Sequence, residues 1–198
     1  QDQEKVEGID FNVDLRKEIN VGDLPVDIGV TARATKLIER SSLFVDDQGN
    51  ENFDDVVGEF SFPEWAGRVR LTADIRDWRF TWQTRFTDAV EQDVDFIDEF
   101  SDSTDSQGTG FVGDTCSGPA NGDVLCRDVG FADSQFIHTA SVRYTHDTWR
   151  FVAGVSNIFD KAPPLVDPNE VNSLNNVAIG SGYDYDGREF FFNVRKTF

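Results

Sequence analysis

REFFFNVRKTF, residues Arg188 to Phe198, places Phe190, Phe192, Val194 and Phe198 on one side of an extended chain and Glu189, Asn193 and Arg195 on the other. Successive side chains of a strand point to opposite faces, so this stretch has one apolar and one polar face. Alternation sustained over about ten residues is the pattern of a strand with lipid on one side and a wet or plugged interior on the other. The half-buried edge strand of a soluble sandwich alternates in the same way, and the rest of the chain has to separate the two.

The same parity recurs upstream. Ile9, Phe11, Val13, Leu15 and Ile19 alternate with Asp10, Asn12, Asp14, Arg16 and Glu18, and Val26, Ile28, Val30, Ala32 and Ala34 with Asp27, Thr31 and Arg33. Trp65, Val69, Leu71, Ala73 and Ile75 oppose Arg68, Arg70 and Thr72, and Trp78, Phe80, Trp82 and Phe86 oppose Arg79, Gln83 and Arg85. Phe136, His138, Ala140, Val142 and Tyr144 form a fifth such set, and Trp149, Phe151, Ala153 and Val155 a sixth. With the last strand this predicts seven. Their connections are short near Asn20 to Leu24, at Asp77 and at Asp147, and long over 41–62, 88–134 and 160–185. Short and long connections thus sort by end, as they do in bacterial barrels with short periplasmic turns and long extracellular loops. The expected fold is an all-β, antiparallel transmembrane β-barrel, with Phe198 at the periplasmic rim. Because single-chain bacterial barrels have an even number of strands, an odd count implies that residues 1–198 are the C-terminal part of a larger barrel, with the remaining strands supplied from elsewhere.

Composition excludes other classes. The 198 residues are 38% hydrophobic, with no apolar run near the roughly 18 residues of a membrane helix. A barrel tolerates such dilution because only alternate strand residues face lipid, and 18 Phe and 4 Trp could supply its aromatic girdles. A formal charge of −19 opposes nucleic-acid binding, which needs a basic surface. The start, QDQEKVEGID, has neither the basic nor the apolar region of a signal peptide, and is expected to be a mature end or an internal cut.

GVSNIFDKAPP, Gly154 to Pro164, resembles the penultimate-strand motif of TonB-dependent outer-membrane receptors, in which Gly154, Val155, Asn157, Ile158, Phe159, Asp160, Lys161, Pro163 and Pro164 match. YDYDGREFFFNVRKTF, Tyr183 to Phe198, resembles their closing strand through Gly187, Arg188 and the final Phe198. The two motifs cover about the last fifth of the chain. The resemblance implies a 22-stranded barrel at the bacterial outer membrane. Its plug, and the region that engages the TonB energy-coupling complex, would lie outside this chain, and lipopolysaccharide would surround the barrel. The implied function is import of a scarce small molecule: a ferric siderophore, another metal chelate, cobalamin or an oligosaccharide. In physical terms Asn157 and Asp160 are placed to bond local backbone where the strand leaves the sheet, and Pro163 and Pro164 end its ladder.

Cys116 and Cys126 bracket SGPANGDVL in the longest loop and read as a disulfide in an oxidising compartment. Carboxylates cluster at Asp46, Asp47, Glu51, Asp54 and Asp55, and again from Glu91 to Asp105. They suit Ca2+ chemically but lack the spacing of an EF-hand loop, and a solvated acidic surface accounts for them. Arg16, Arg33, Arg68, Arg70, Arg85, Arg143, Arg150 and Arg195 share the polar register and would meet plug carboxylates or anionic substrate. By position, Phe111, Phe131, Tyr183 and Tyr185 are candidate substrate contacts. No nucleophile motif or phosphate loop is present, so no enzymatic activity and no resident cofactor are expected. A soluble secreted β-sandwich binding calcium or carbohydrate, and a passive porin, are the alternative readings.

Overall fold

The computed structural model describes residues 3–45, 48–91, 131–164, 172–174 and 177–198. Among these there is no helix. The strands are β1 (Gln3–Val21), β2 (Leu24–Val45), β3 (Glu51–Asp55), β4 (Trp65–Ile75), β5 (Trp78–Thr87), β6 (Val90–Glu91), β7 (Phe131–Ala132), β8 (Gln135–His146), β9 (Trp149–Ser156), β10 (Ser173–Leu174), β11 (Val177–Ala178) and β12 (Glu189–Lys196). Eight of them build one antiparallel sheet in the order β1-β2-β4-β5-β8-β9-β12, with β3 paired to β2 beside that path. All seven strands expected from alternation are present, and each pairs with its sequence neighbours.

The order follows from tight hairpins at one end. Val21 pairs with Leu24, Ile75 with Trp78 and His146 with Trp149, leaving two residues in each turn. Primed two-residue turns match the twist of the strands and need positive φ at their first central residue. Gly22 (62°), Arg76 (53°) and Asp147 (50°) supply it. The long connections all lie at the opposite end.

The sheet is open: β1 and β12 are its edges and neither has an outer partner among the described residues. One expectation is corrected. The polar stretch beginning at residue 41 is not all loop, since Ser41–Val45 continue β2 and pair with Asp55–Glu51 of β3. Leu43, Phe44 and Val45 in succession put apolar side chains on both faces, beside Ser41 and Ser42, and so gave that hairpin no alternation to read.

Both faces run the full width of the sheet. On the apolar face Phe80, Trp82, Phe136, Phe190 and Phe192 are 44%, 37%, 52%, 80% and 69% exposed, so no second layer among the described residues covers them. Aromatic rings stand at both of its ends, with Phe80, Trp82, Phe190 and Phe192 between them. Near the tight turns, Trp78 and Tyr144 lie 4.6 Å apart, Trp149 and Phe151 6.1 Å, and the Lys196 ammonium sits over the Trp149 ring. Near the long connections, Phe86 and Phe136 lie 4.9 Å apart and Phe11 stacks on Trp65 at 5.7 Å. The buried core lies beyond the sheet: Val90, Ala132, Val177, Ala178 and Tyr183, with Phe60 against them, bring all three long connections together.

Candidate functional site

The polar face is organised in rows, because antiparallel register sets residues of neighbouring strands side by side. Nearest the tight turns, Asp27, Asp74, Arg79 and Arg143 are adjacent across β2, β4, β5 and β8. Here charge is compensated: Arg79 grips Asp74 through both carboxylate oxygens, with Nη2 to Oδ2 at 2.7 Å, and Arg143 stands 3.9 Å from the same carboxylate. Four residues further along, Asp14, Thr31, Arg70 and Gln83 form a row joined by hydrogen bonds. Thr31 donates to Asp14 at 2.8 Å, and Arg70 donates twice to the Gln83 carbonyl oxygen, at 3.2 and 2.8 Å.

The next row differs. Arg33 of β2, Arg68 of β4 and Arg85 of β5 are direct cross-strand neighbours. Like charges directly opposite on adjacent strands are destabilising. No ion pair or hydrogen bond among the described residues engages any of the three guanidinium groups, and all three are exposed. The carboxylates that flank the row on β1, Asp10 and Asp14, accept bonds from the Thr35 and Thr31 hydroxyls at 2.6 and 2.8 Å, and Asp10 lines the same cavity as the arginines.

These arginines line a cavity of about 580 Å³ between the sheet and the long connections. Its other wall comes from Ser61, Pro63 and Gly180 to Gly182. Ser61 fixes that wall: its amide donates to the Ser181 hydroxyl and its own hydroxyl donates to the Ile179 carbonyl, both at 3.2 Å. It does so at φ 81°, which is costly for a residue with a side chain and persists only where the surroundings demand it. Gly180 (φ 85°) has no such penalty, and a Cβ there would stand 3.0 Å from the Ser61 hydroxyl.

The motif residues meet in one latch at the same end. Asn157 is 1% exposed with φ 46°; its Oδ1 accepts the Lys161 amide at 2.8 Å and its Nδ2 donates to the Lys161 carbonyl at 2.9 Å. The Ile158 amide donates to the His138 carbonyl, and the Phe159 ring packs edge-on to the His138 ring at 5.2 Å on the apolar face. The Asp160 Oδ1 accepts the Arg188 amide at 2.9 Å, and Gly187 (φ 75°) lies so close that a Cβ would be 3.1 Å from that oxygen. Asp160 therefore ties the end of β9 to the start of β12. Gly154 pairs with Phe191, which sits on the polar face; a Cβ on Gly154 would be 2.3 Å from the Phe191 ring. Val155 pairs with Phe190, Pro163 lies beside Tyr183, Pro164 follows it, and Phe198 is fully exposed.

The remaining candidates are dispersed. Tyr183 is 7% exposed; its hydroxyl is buried without a hydrogen-bond partner and its pKa is pushed up to about 12, first by burial and then by Tyr185. Tyr185 donates to the Ala178 carbonyl at 2.6 Å. Tyr183 thus packs into the connection, whereas Tyr185 is anchored by its hydroxyl and remains 47% exposed. Phe131 pairs through its backbone with Glu91, while Phe111, Cys116, Cys126, Asp46 and Asp47 lie outside the described residues. Glu51, Asp54 and Asp55 sit on β3, and no group of carboxylates converges as a metal site among the described residues. Comparison with protein-family models, with curated proteins and with solved structures gives no match.

Proposed function

We propose that this chain is part of the barrel wall of a TonB-dependent receptor in a bacterial outer membrane, importing a scarce small molecule with energy from the TonB complex. The observation that carries the membrane reading is the uncovered apolar face bounded by aromatic rings. Phe136 and His146, the latter paired with Trp149, stand ten residues apart in β8. That is about 34 Å of antiparallel strand, and at the tilt of roughly 45° found in membrane barrels it projects to about 25 Å, the height of their apolar band. A soluble sandwich would bury such a face under a second sheet. The paired end-motifs, joined through Asp160 and Arg188, support the receptor family.

In this reading the tight turns face the periplasm, the long connections face outward, and the polar rows face the lumen and its plug. Further strands close the barrel at β1 and β12, because each unpaired backbone group in hydrocarbon costs several kcal/mol. Single cysteines at Phe80, Trp82, Tyr144 and Phe192, labelled in membranes with a water-soluble reagent, are expected to be protected, and those at Arg79, Gln83, Arg143 and Asn193 to react. Equal labelling of both registers would sink the topology. Uptake that continues after the TonB complex is removed would replace the receptor with a passive porin.

A further inference from the structure

We infer that the Arg33–Arg68–Arg85 row is a binding site for a small polyanion carrying two or three carboxylate or phosphate groups, held between the sheet and the Ser61–Ser181 wall. Three observations converge on it. Adjacent strands lie about 4.8 Å apart, so the row spans about 10 Å, the reach of such a ligand. The three arginines form no ion pair among the described residues, and Asp10 is the one carboxylate in the cavity lining against three guanidinium groups, whereas Asp74 and Gln83 satisfy the arginines of the rows below. The cavity above them, about 580 Å³, falls in the size range of small-molecule sites.

Guanidinium groups suit this task because their fixed fork of N–H donors matches the two oxygens of a carboxylate or phosphate. The protein's overall charge of −19 would repel an anion, so attraction depends on the local cluster rather than on a diffuse field. Like-charge repulsion along the row is relieved when the ligand's oxygens enter between the groups. Unliganded, the row weakens the sheet that carries it. The inference rests on the importer reading only for the side from which the ligand arrives, and it names a ligand class for that reading.

The test is calorimetric titration of the purified protein with its barrel complete, in detergent where solubility requires it, with citrate and with pyrophosphate as probes and acetate as the monovalent control. At least one probe is expected to saturate a single site, with acetate far weaker. Arg68→Gln removes the central charge-assisted bonds and is expected to weaken binding about 10- to 100-fold. Arg70→Gln, on the neighbouring hydrogen-bonded row, is expected to stay within about threefold of the parent. The urea midpoint of Arg68→Gln should be unchanged or raised, since a repulsive neighbour is gone. Arg33→Gln, at the end of the row, provides the same comparison if Arg68→Gln does not fold. Saturable binding of neither probe overturns the inference, as does equal loss with Arg70→Gln. So does a lowered urea midpoint in both row variants, which would make the arginines structural. Recovery of the protein from the soluble fraction without detergent would count against the membrane reading while leaving this titration decisive.

Discussion

Replacing Asn157 by alanine removes two hydrogen bonds from a residue that is 1% exposed and held at φ 46°. Each bond contributes about 1 kcal/mol net, and the Lys161 amide and carbonyl would be left without their partner. Alanine at a left-handed position costs a further ~1 kcal/mol or more. The expected destabilisation is about 3 kcal/mol. Two further variants separate its parts. Asn157→Gly loses both bonds but tolerates the backbone, so it is expected to be less damaging than alanine by about 1 kcal/mol. Asn157→Asp keeps an acceptor for the Lys161 amide and loses only the donor, but it buries a charge. Equilibrium urea unfolding, followed by tryptophan fluorescence in a lipid or detergent in which unfolding is reversible, reads all three. An alanine variant within 0.5 kcal/mol of the parent, or a glycine variant worse than alanine, would refute this account of the latch.

Gly154→Ala places a Cβ 2.6 Å from the Ala140 carbonyl oxygen as well as against the Phe191 ring, and backbone cannot swing aside. A loss of about 1–3 kcal/mol is expected in the same unfolding assay. Tyr183→Phe removes a buried hydroxyl that has no partner, so it is expected to leave stability unchanged or raised at neutral pH. The folded Tyr183 pKa, at about 12, exceeds its ordinary value near 10, so its contribution is intact below pH 10 and is lost as pH rises from 10 through 12. The phenylalanine variant should lack that alkaline loss, which pH-dependent urea midpoints would reveal. Asp160→Ala leaves the Arg188 amide without its acceptor and is expected to cost about 1–2 kcal/mol and to loosen the start of β12, visible as faster amide exchange there.

The seven long strands were legible because each separates apolar from polar side chains by parity, a signal that survives without any knowledge of partners. Its limits are equally physical. Regular pairing of β1 is interrupted by a bulge between Glu7 and Gly8, so the alternation beginning at Ile9 identified only part of a strand that starts at Gln3. Phe191 breaks the polar register of β12, and only the cross-strand pairing with Gly154 makes room for it there. The pairing of β6 with β7 joins segments about 40 residues apart and leaves no local trace. Every arginine of the candidate row was assignable to the polar face from sequence. That Arg33, Arg68 and Arg85 are side by side depends on the register of three strands, which parity alone does not fix.

The shared cluster of Val90, Ala132, Val177, Ala178, Tyr183 and Phe60 has a consequence for how such a protein can diversify. Surface loops usually change one at a time, and each can be grafted onto a relative's scaffold as a cassette. Here the described ends of the three long connections pack into one another, and Ser61 pins the first to the third through Ile179 and Ser181, so a graft that replaced these residues in any single connection would strip apolar partners from the other two. New recognition would have to come from exchanging all three as a set, or from point changes on the strand wall beneath them, where side chains vary without disturbing the packing above.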